Sequence, residues 1–265
     1  MASRTALSFT VMCSLATWAS VARLRNRATM GIAQSILPAW DGGGLDTCST
    51  VTVQVHGGTL STVTMDALFS GANLCALGGE VLHFRRADLL SAGVYRLSGL
   101  LRGEFGTDDV MMRHDIGERF VLLTPETVTR VTEPVGLMAL EVLYAGVSIG
   151  LSIVDVPTVT SINLQSALKP ISPRFVNAVR QAAGGYRAKW VRRSRLAANW
   201  RDGSDEPLGE APESYNVQVA NGMTVAVDTL AGTEAATFGV AAEYQYFRVS
   251  VAQMSDRAGH GFYGY

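Results

Sequence analysis

Four histidines (His56, His83, His114, His260) and three cysteines (Cys13, Cys48, Cys75) are the residues best suited to metal or nucleophilic chemistry. No HExxH, HxH or CxxC spacing links them, so neither a zinc site nor a redox thiol pair is indicated. Asp108, Asp109, His114 and Asp115 form the one cluster that joins carboxylates to an imidazole. Such ligands suit a hard or borderline cation. They suit a solvated loop between two strands equally, and that reading is adopted. Ser70-Gly71 and Ser98-Gly99 lack the G-x-S-x-G elbow of a hydrolase nucleophile. Arg102-Gly103-Glu104-Phe105-Gly106-Thr107 has two glycines but no G-K-[ST], so it is not a phosphate loop. Asp205-Glu206 stand beside Pro207 in a turn, where local salt bridging suits them better than glycoside hydrolysis. The chain is therefore read as non-enzymatic, with no catalytic residue, metal or cofactor.

Charge is balanced overall and uneven locally. There are 22 Lys+Arg against 23 Asp+Glu, a net charge of −1, so nothing draws the whole chain to nucleic acid. Between residues 157 and 201 stand nine bases and no acid: Lys169, Arg174, Arg180, Arg187, Lys189, Arg192, Arg193, Arg195 and Arg201. Asp202, Asp205, Glu206, Glu210 and Glu213 follow with no base between them. Trp190-Val191-Arg192-Arg193-Ser194-Arg195 could form a polyanion platform, since Arg pairs with phosphate and stacks on rings. The adjacent acids favour ion pairing inside one domain instead. Charged residues are only 17% of the chain and hydrophobic ones 48%, so part of the surface is expected to be covered in an assembly.

These side chains have to be positioned by strands. Leu7, Phe9, Val11, Cys13 and Leu15 alternate with Ala6, Ser8, Thr10, Met12 and Ser14, which is strand periodicity. That favours a mature strand over a secretory signal or a membrane helix. Its open edge would need cover from the first domain or a neighbouring subunit. Val51 to Val55 alternate likewise. Thr64 can cap a short helix over residues 65–69, with Asp66 in its first turn. Further strands are expected at residues 80–85, 94–101 and 120–123. Leu137–Tyr144 and Val147–Val154 should flank a turn at Ala145-Gly146. Strands every 8–12 residues with turns between them indicate a sandwich or barrel. Pro157, Pro170 and Pro173 mark a linker. The expected plan is mainly β: a sandwich or barrel-like domain over 1–156, a linker over 157–173, a β-sandwich over 174–258 and an aromatic tail over 259–265.

Two groups of residues resemble a known family. The first is Gly79-Glu80-Val81-Leu82-His83-Phe84, then Tyr95-Arg96-Leu97-Ser98-Gly99-Leu100-Leu101-Arg102-Gly103, then Gly106-Thr107, His114 and Gly117-Glu118-Arg119-Phe120. The second is Tyr186 to Arg195, Trp200, Pro207 to Glu210, Glu213 to Val217 and Val249 to Gln253. Together with Trp40-Asp41 and Gly71-Ala72-Asn73, they resemble the C-terminal region of the tail-tip hub proteins of long-tailed phages and gene transfer agents. That region ends in a fibronectin-III-like domain.

The resemblance implies a virion structural protein of the tail tip or baseplate, made in the host cytoplasm and taking part in tail assembly and host attachment. It implies a homotrimer about the tail axis, with hub, distal-tail and fibre proteins as partners, the upstream hub domains being on a separate chain. It makes Trp40, Tyr95, Leu100, Leu101, Arg102, Phe120, Trp190 and Tyr215 core or interface residues. Trp190 and Tyr215 would point inward, Gly103 and Gly106 would take positive φ, and Arg102 would bond loop carbonyls or an acid such as Glu118. In the last strand, Phe247, Val249 and Val251 share a face and leave Gln245 where a sandwich would carry an aromatic. A receptor- or glycan-binding adhesin, with Trp200, Tyr263 and Tyr265 as contacts, is the alternative. A secreted hydrolase, supported only by the signal-like start, is a minor one.

Overall fold

The computed structural model describes the chain apart from residues 1–6, 14–16, 25, 41–43, 133–136, 138, 149, 165–167, 195–208, 222–223, 241–245, 257–258 and 265. Trp200, Asp205, Glu206, Gln245 and Tyr265 thus lie outside the described residues. The fold is mainly β, as its periodicity indicates, and is built from a closed barrel, a four-stranded sheet and a sandwich.

Six antiparallel strands close the barrel: β3 (Met30–Ala33), β4 (Leu45–His56), β5 (Leu74–Leu77), β6 (Glu80–Ser91), β7 (Val94–Leu101) and β8 (Arg119–Leu122). Their order is β3-β4-β7-β6-β5-β8, and β8 pairs back onto β3. Closure leaves no edge strand to pair with other chains. Alternation fills the interior, with Val51, Val53 and Val55 from β4 meeting Leu82, Phe84, Leu97, Leu100 and Phe120. Tyr95 and Leu97 are inward on odd positions, yet Leu100 is also inward. Gly99, at φ 65, makes that change of parity possible. The short helix α1 (Met65–Phe69) forms where expected, and Thr64 Oγ1 accepts the Ala67 N–H at 3.2 Å.

The N-terminal alternating run forms β1 (Leu7–Cys13), paired with β2 (Thr17–Leu24). Its other side is covered by β9 (Glu141–Ser148), and β10 (Thr158–Ile162) completes the order β10-β9-β1-β2. Two expectations are corrected here. Ala145-Gly146 is not a turn. Both residues lie within β9, where Ala145 pairs with Thr10 and Gly146 with Phe9. A Gly flanked by strand formers reads as a turn, but continuous pairing on both sides holds the strand straight. The segment 157–173 is not all linker either, because Thr158–Ile162 pairs with β9. Pro157 precedes that strand and removes no donor from it.

The sandwich sets a three-stranded sheet, β11 (Arg174–Arg180), β12 (Tyr186–Val191) and β15 (Ala235–Phe238), against a four-stranded one. The latter has the order β14-β13-β16-β17: β14 (Thr224–Ala231), β13 (Tyr215–Asn221), β16 (Arg248–Ser255) and β17 (Gly259–Gly264). Seven strands in two sheets are the fibronectin-III-like layout. Trp190 and Tyr215 meet between the sheets edge to face, centroids 5.2 Å apart, a pairing that adds about 1 kcal/mol to their area burial. The aromatic tail is therefore corrected as well, because its residues 259–264 are the edge strand β17, paired with β16. Its glycines are what admit it. A Cβ on Gly261 would meet Pro170 O, and one on Gly264 would collide with Pro173 O.

Candidate functional site: the barrel–sandwich junction

Glu80 opens β6 at the barrel mouth and is fully buried. An isolated carboxylate there would be costly, so it must be matched by charge and donors. Arg102, just past β7, supplies Nε at 2.7 Å and Nη2 at 2.8 Å in a bidentate fork. The Gly103 N–H adds a third bond at 2.8 Å. His114 Nε2 lies 2.7 Å from the same carboxylate, and its Nδ1 lies 2.7 Å from Glu118. Both ring nitrogens face carboxylates, so the imidazolium, with an N–H on each, satisfies both contacts. Burial opposes that charge, but Glu80 and Glu118 outweigh it and hold the His114 pKa above the ordinary imidazole value. Burial likewise works against ionised Glu80, while His114 and Arg102 hold its pKa below the usual carboxylate range.

Arg102 also donates to Pro38 O at 3.1 Å and to Met111 O at 3.3 Å, and its Nη1 lies 3.5 Å from Asp46. Asp46 has a task of its own. β4 carries extra residues between Asp46 and Thr50, and the Asp46 carboxylate accepts the freed N–H groups of Cys48 and Ser49 at 3.0 and 2.8 Å. Such a bulge leaves donors that need a local acceptor. Arg102 thus bonds loop carbonyls as expected, but its acid is Glu80, while Glu118 serves His114.

This network fixes the segment from Gly103 to Gly117. Gly103 is left-handed at φ 67, and a Cβ there would press on Met111 Sδ; Gly106 is also at positive φ, 78. The segment turns Asp108 out of the barrel toward the sandwich. Asp108 Oδ1 accepts from Arg174 Nη2 at 2.8 Å, Arg193 Nη1 at 2.6 Å and Ser172 Oγ at 3.2 Å. The expected solvated loop is therefore corrected, since Asp108 and His114 are both buried while Asp109 and Asp115 are exposed. Of the acids expected to pair with the basic strand, Asp202, Asp205 and Glu206 lie outside the described residues, and the described arginines also reach elsewhere. Arg174 and Arg193 reach across to the barrel, and Arg192 turns to Glu234 at 3.7 Å. Among the described acids of that stretch, Glu213 accepts the Tyr215 hydroxyl at 2.7 Å. Burial first, then Glu213, pushes the Tyr215 pKa up.

A cleft of about 580 Å³ lies at this junction, lined by Trp40, Asp108, Arg174, Phe262 and Tyr263 among others. Trp40 is half-buried there, and its Nε1 is buried without a hydrogen-bond partner among the described residues. The other expected residues scatter by role. Tyr95, Leu100 and Phe120 are barrel core, and Leu101 is half-buried. Trp190 and Tyr215 are sandwich core. Tyr263, expected as a free receptor contact, is half-buried, and its hydroxyl donates to Asn216 Oδ1 at 2.9 Å. No group of three or more His, Cys, Asp or Glu among the described residues is placed to hold a metal ion. The sequence reading missed Asp46 and the role of Glu80. The available signal was one acid in the apolar run Gly79–Phe84, with an arginine ending the next strand.

Residues 28–121 match the family model described as Rcc01698-like, C-terminal. The match runs from just before β3 into β8, which is the span of the closed barrel. No curated protein matches the chain.

Proposed function

We propose that the chain is a structural component of a siphophage-like tail tip or baseplate, part of the hub or tip assembly that serves tail assembly and host attachment. The observation that supports this most is where the tail-hub-like motifs lie. Glu80, Arg102, Gly103, His114 and Glu118, all within those motifs, form one bonded network at the barrel mouth. The residues that carry the resemblance thus hold a scaffold together, and the reading is of a non-enzymatic assembly protein. In this reading it sits in the virion as three copies about the tail axis, beside hub, distal-tail and fibre proteins. The test is immunogold labelling of purified particles with antibody to the sandwich. Label at the tail tip is expected, and absence of the chain from purified particles overturns the reading.

A receptor- or glycan-binding module is the second reading, favoured by the aromatic-walled cleft at the junction. Ligand sites often lie between domains. If Trp40→Ala left particle adsorption to cells unchanged, this reading would fall.

A further inference from the structure

The four-stranded sheet β10-β9-β1-β2 has two open edges; β2 carries Arg23 and a register shift against β1, whereas β10 differs from the other edges of the molecule. Strand edges are usually kept from pairing by charge, bulges or shortness. β11 carries Arg174, Arg180 and a register shift, and β14 carries Asp228 and another. β15 is only four residues long, and β17 has a register shift against β16. β10 has no such device. Its sequence Thr158-Val159-Thr160-Ser161-Ile162 is uncharged and mostly β-branched, all five residues are exposed, and its pairing with β9 is unbroken.

We infer that β10 accepts strand β2 of a second copy of this chain, so that the sheet continues head to tail from copy to copy. Strand direction permits it. The four strands alternate in direction, so β2 and β10 run oppositely. A rotation axis lying along the strands preserves direction, so the β2 of one copy meets the β10 of the next antiparallel. This is the same pairing found throughout the sheet. Charge supports it as well. Asp155 ends the 3-10 turn Ile153–Asp155 just before β10, at the Thr158 end of that strand, and this is the end of the sheet where Ser148, Leu7 and Leu24 lie. Arg23, the last residue but one of β2, pairs with Ser8 next to that level. Head-to-tail addition therefore brings Arg23 of one copy and Asp155 of the next to the same end of the join. Both are exposed, and neither makes an ion pair among the described residues. An apolar groove of about 440 Å³ lies on the same sheet, lined by Ala22, Leu24, Tyr144 and Val159 of its strands and by Thr129 and Val131 of the segment beside it. A heterologous contact of this kind closes into a ring where the rotation allows. The number of copies rests on the functional reading above, whereas the pairing does not.

The test is sedimentation equilibrium of the purified full chain across a concentration series. Wild type is expected to associate. Val159→Lys, which puts a gatekeeper charge on the open edge, is expected to weaken association about tenfold or more. Asp155→Arg and Arg23→Asp should each weaken it, and the double swap should restore it. Far-UV circular dichroism and an unchanged melt show that each variant is folded, and the double swap keeps the test valid if Val159→Lys unfolds. A chain that stays monomeric at its highest soluble concentration overturns the inference. So does association indifferent to Val159→Lys and to both reversals.

Discussion

Arg102 and Glu80 face each other across the barrel mouth in a bidentate pair of 2.7 and 2.8 Å, with both side chains sealed from solvent. Such a pair is weak evidence of net stabilisation, because removing two ions from water costs several kcal/mol each. Its importance is conditional: once one partner is present, the other cannot be lost.

Arg102→Met leaves Glu80 buried with its main counter-charge gone. We expect a loss of about 3–5 kcal/mol in chemical denaturation. Arg102→Met with Glu80→Gln should recover much of that loss. Equal destabilisation in the single and double variants would refute the pairing argument.

The network sets a pH window. The His114 pKa is raised on folding, so its contribution is complete below about 6.5, the unfolded value, and is lost as pH rises through the higher folded value. The Glu80 pKa is lowered, so its contribution is present above about 4.3 and is lost as pH falls through the folded value. Thermal melts across pH should fall off on both sides. His114→Gln should flatten the alkaline limb and shrink the acid limb, leaving the part of it that Arg102 and the Gly103 N–H sustain at Glu80. Nitrogen-15 spectra of the imidazole, titrated in parallel, should show it doubly protonated well above pH 6.5.

Asp108→Asn removes the carboxylate that Arg174 and Arg193 share. The barrel core does not include it, so the barrel should remain folded. Calorimetry is expected to show the barrel and sandwich transitions separating, and small-angle scattering a larger radius. A single transition of wild-type shape would show that the two parts are held by something else.

Trp190→Ala empties the space between the sandwich sheets against Tyr215. The expected cost is about 3–5 kcal/mol, confined to the sandwich transition. Near-ultraviolet dichroism should lose the signal of the pair while the barrel melts as before.

How far all this could be read from the sequence depends on the range of each interaction. Alternation at Leu7–Cys13 and Val51–Val55 and the cap at Thr64 are local, and they appear as read. Ala145-Gly146 looked like a turn because Gly is a local signal, whereas its pairing with Phe9 and Thr10 spans about half of the chain. The tail at 259–264 looked loose because Gly and aromatics carry no strand alternation. It is a strand because Gly261 and Gly264 let it press on Pro170 and Pro173, a fit only the folded sandwich reveals. The junction was legible only in pieces. Its residues lay in motifs that could be quoted, but the sequence could not show that Asp108 Oδ1 accepts from arginines 66 and 85 positions away.

The close approach of β17 to Pro170 and Pro173 has a consequence for how the sandwich can be joined to other things. The stretch by which the chain enters the sandwich and the strand by which it leaves lie side by side, tied where the Phe262 N–H meets Pro170 O at 3.2 Å. The domain therefore behaves as a cassette with its inlet and outlet on one face. Anything appended after residue 264 would set out from the barrel side. The turns at the far end, such as the one between β11 and β12, would be left clear to receive an inserted epitope or reporter without disturbing either connection.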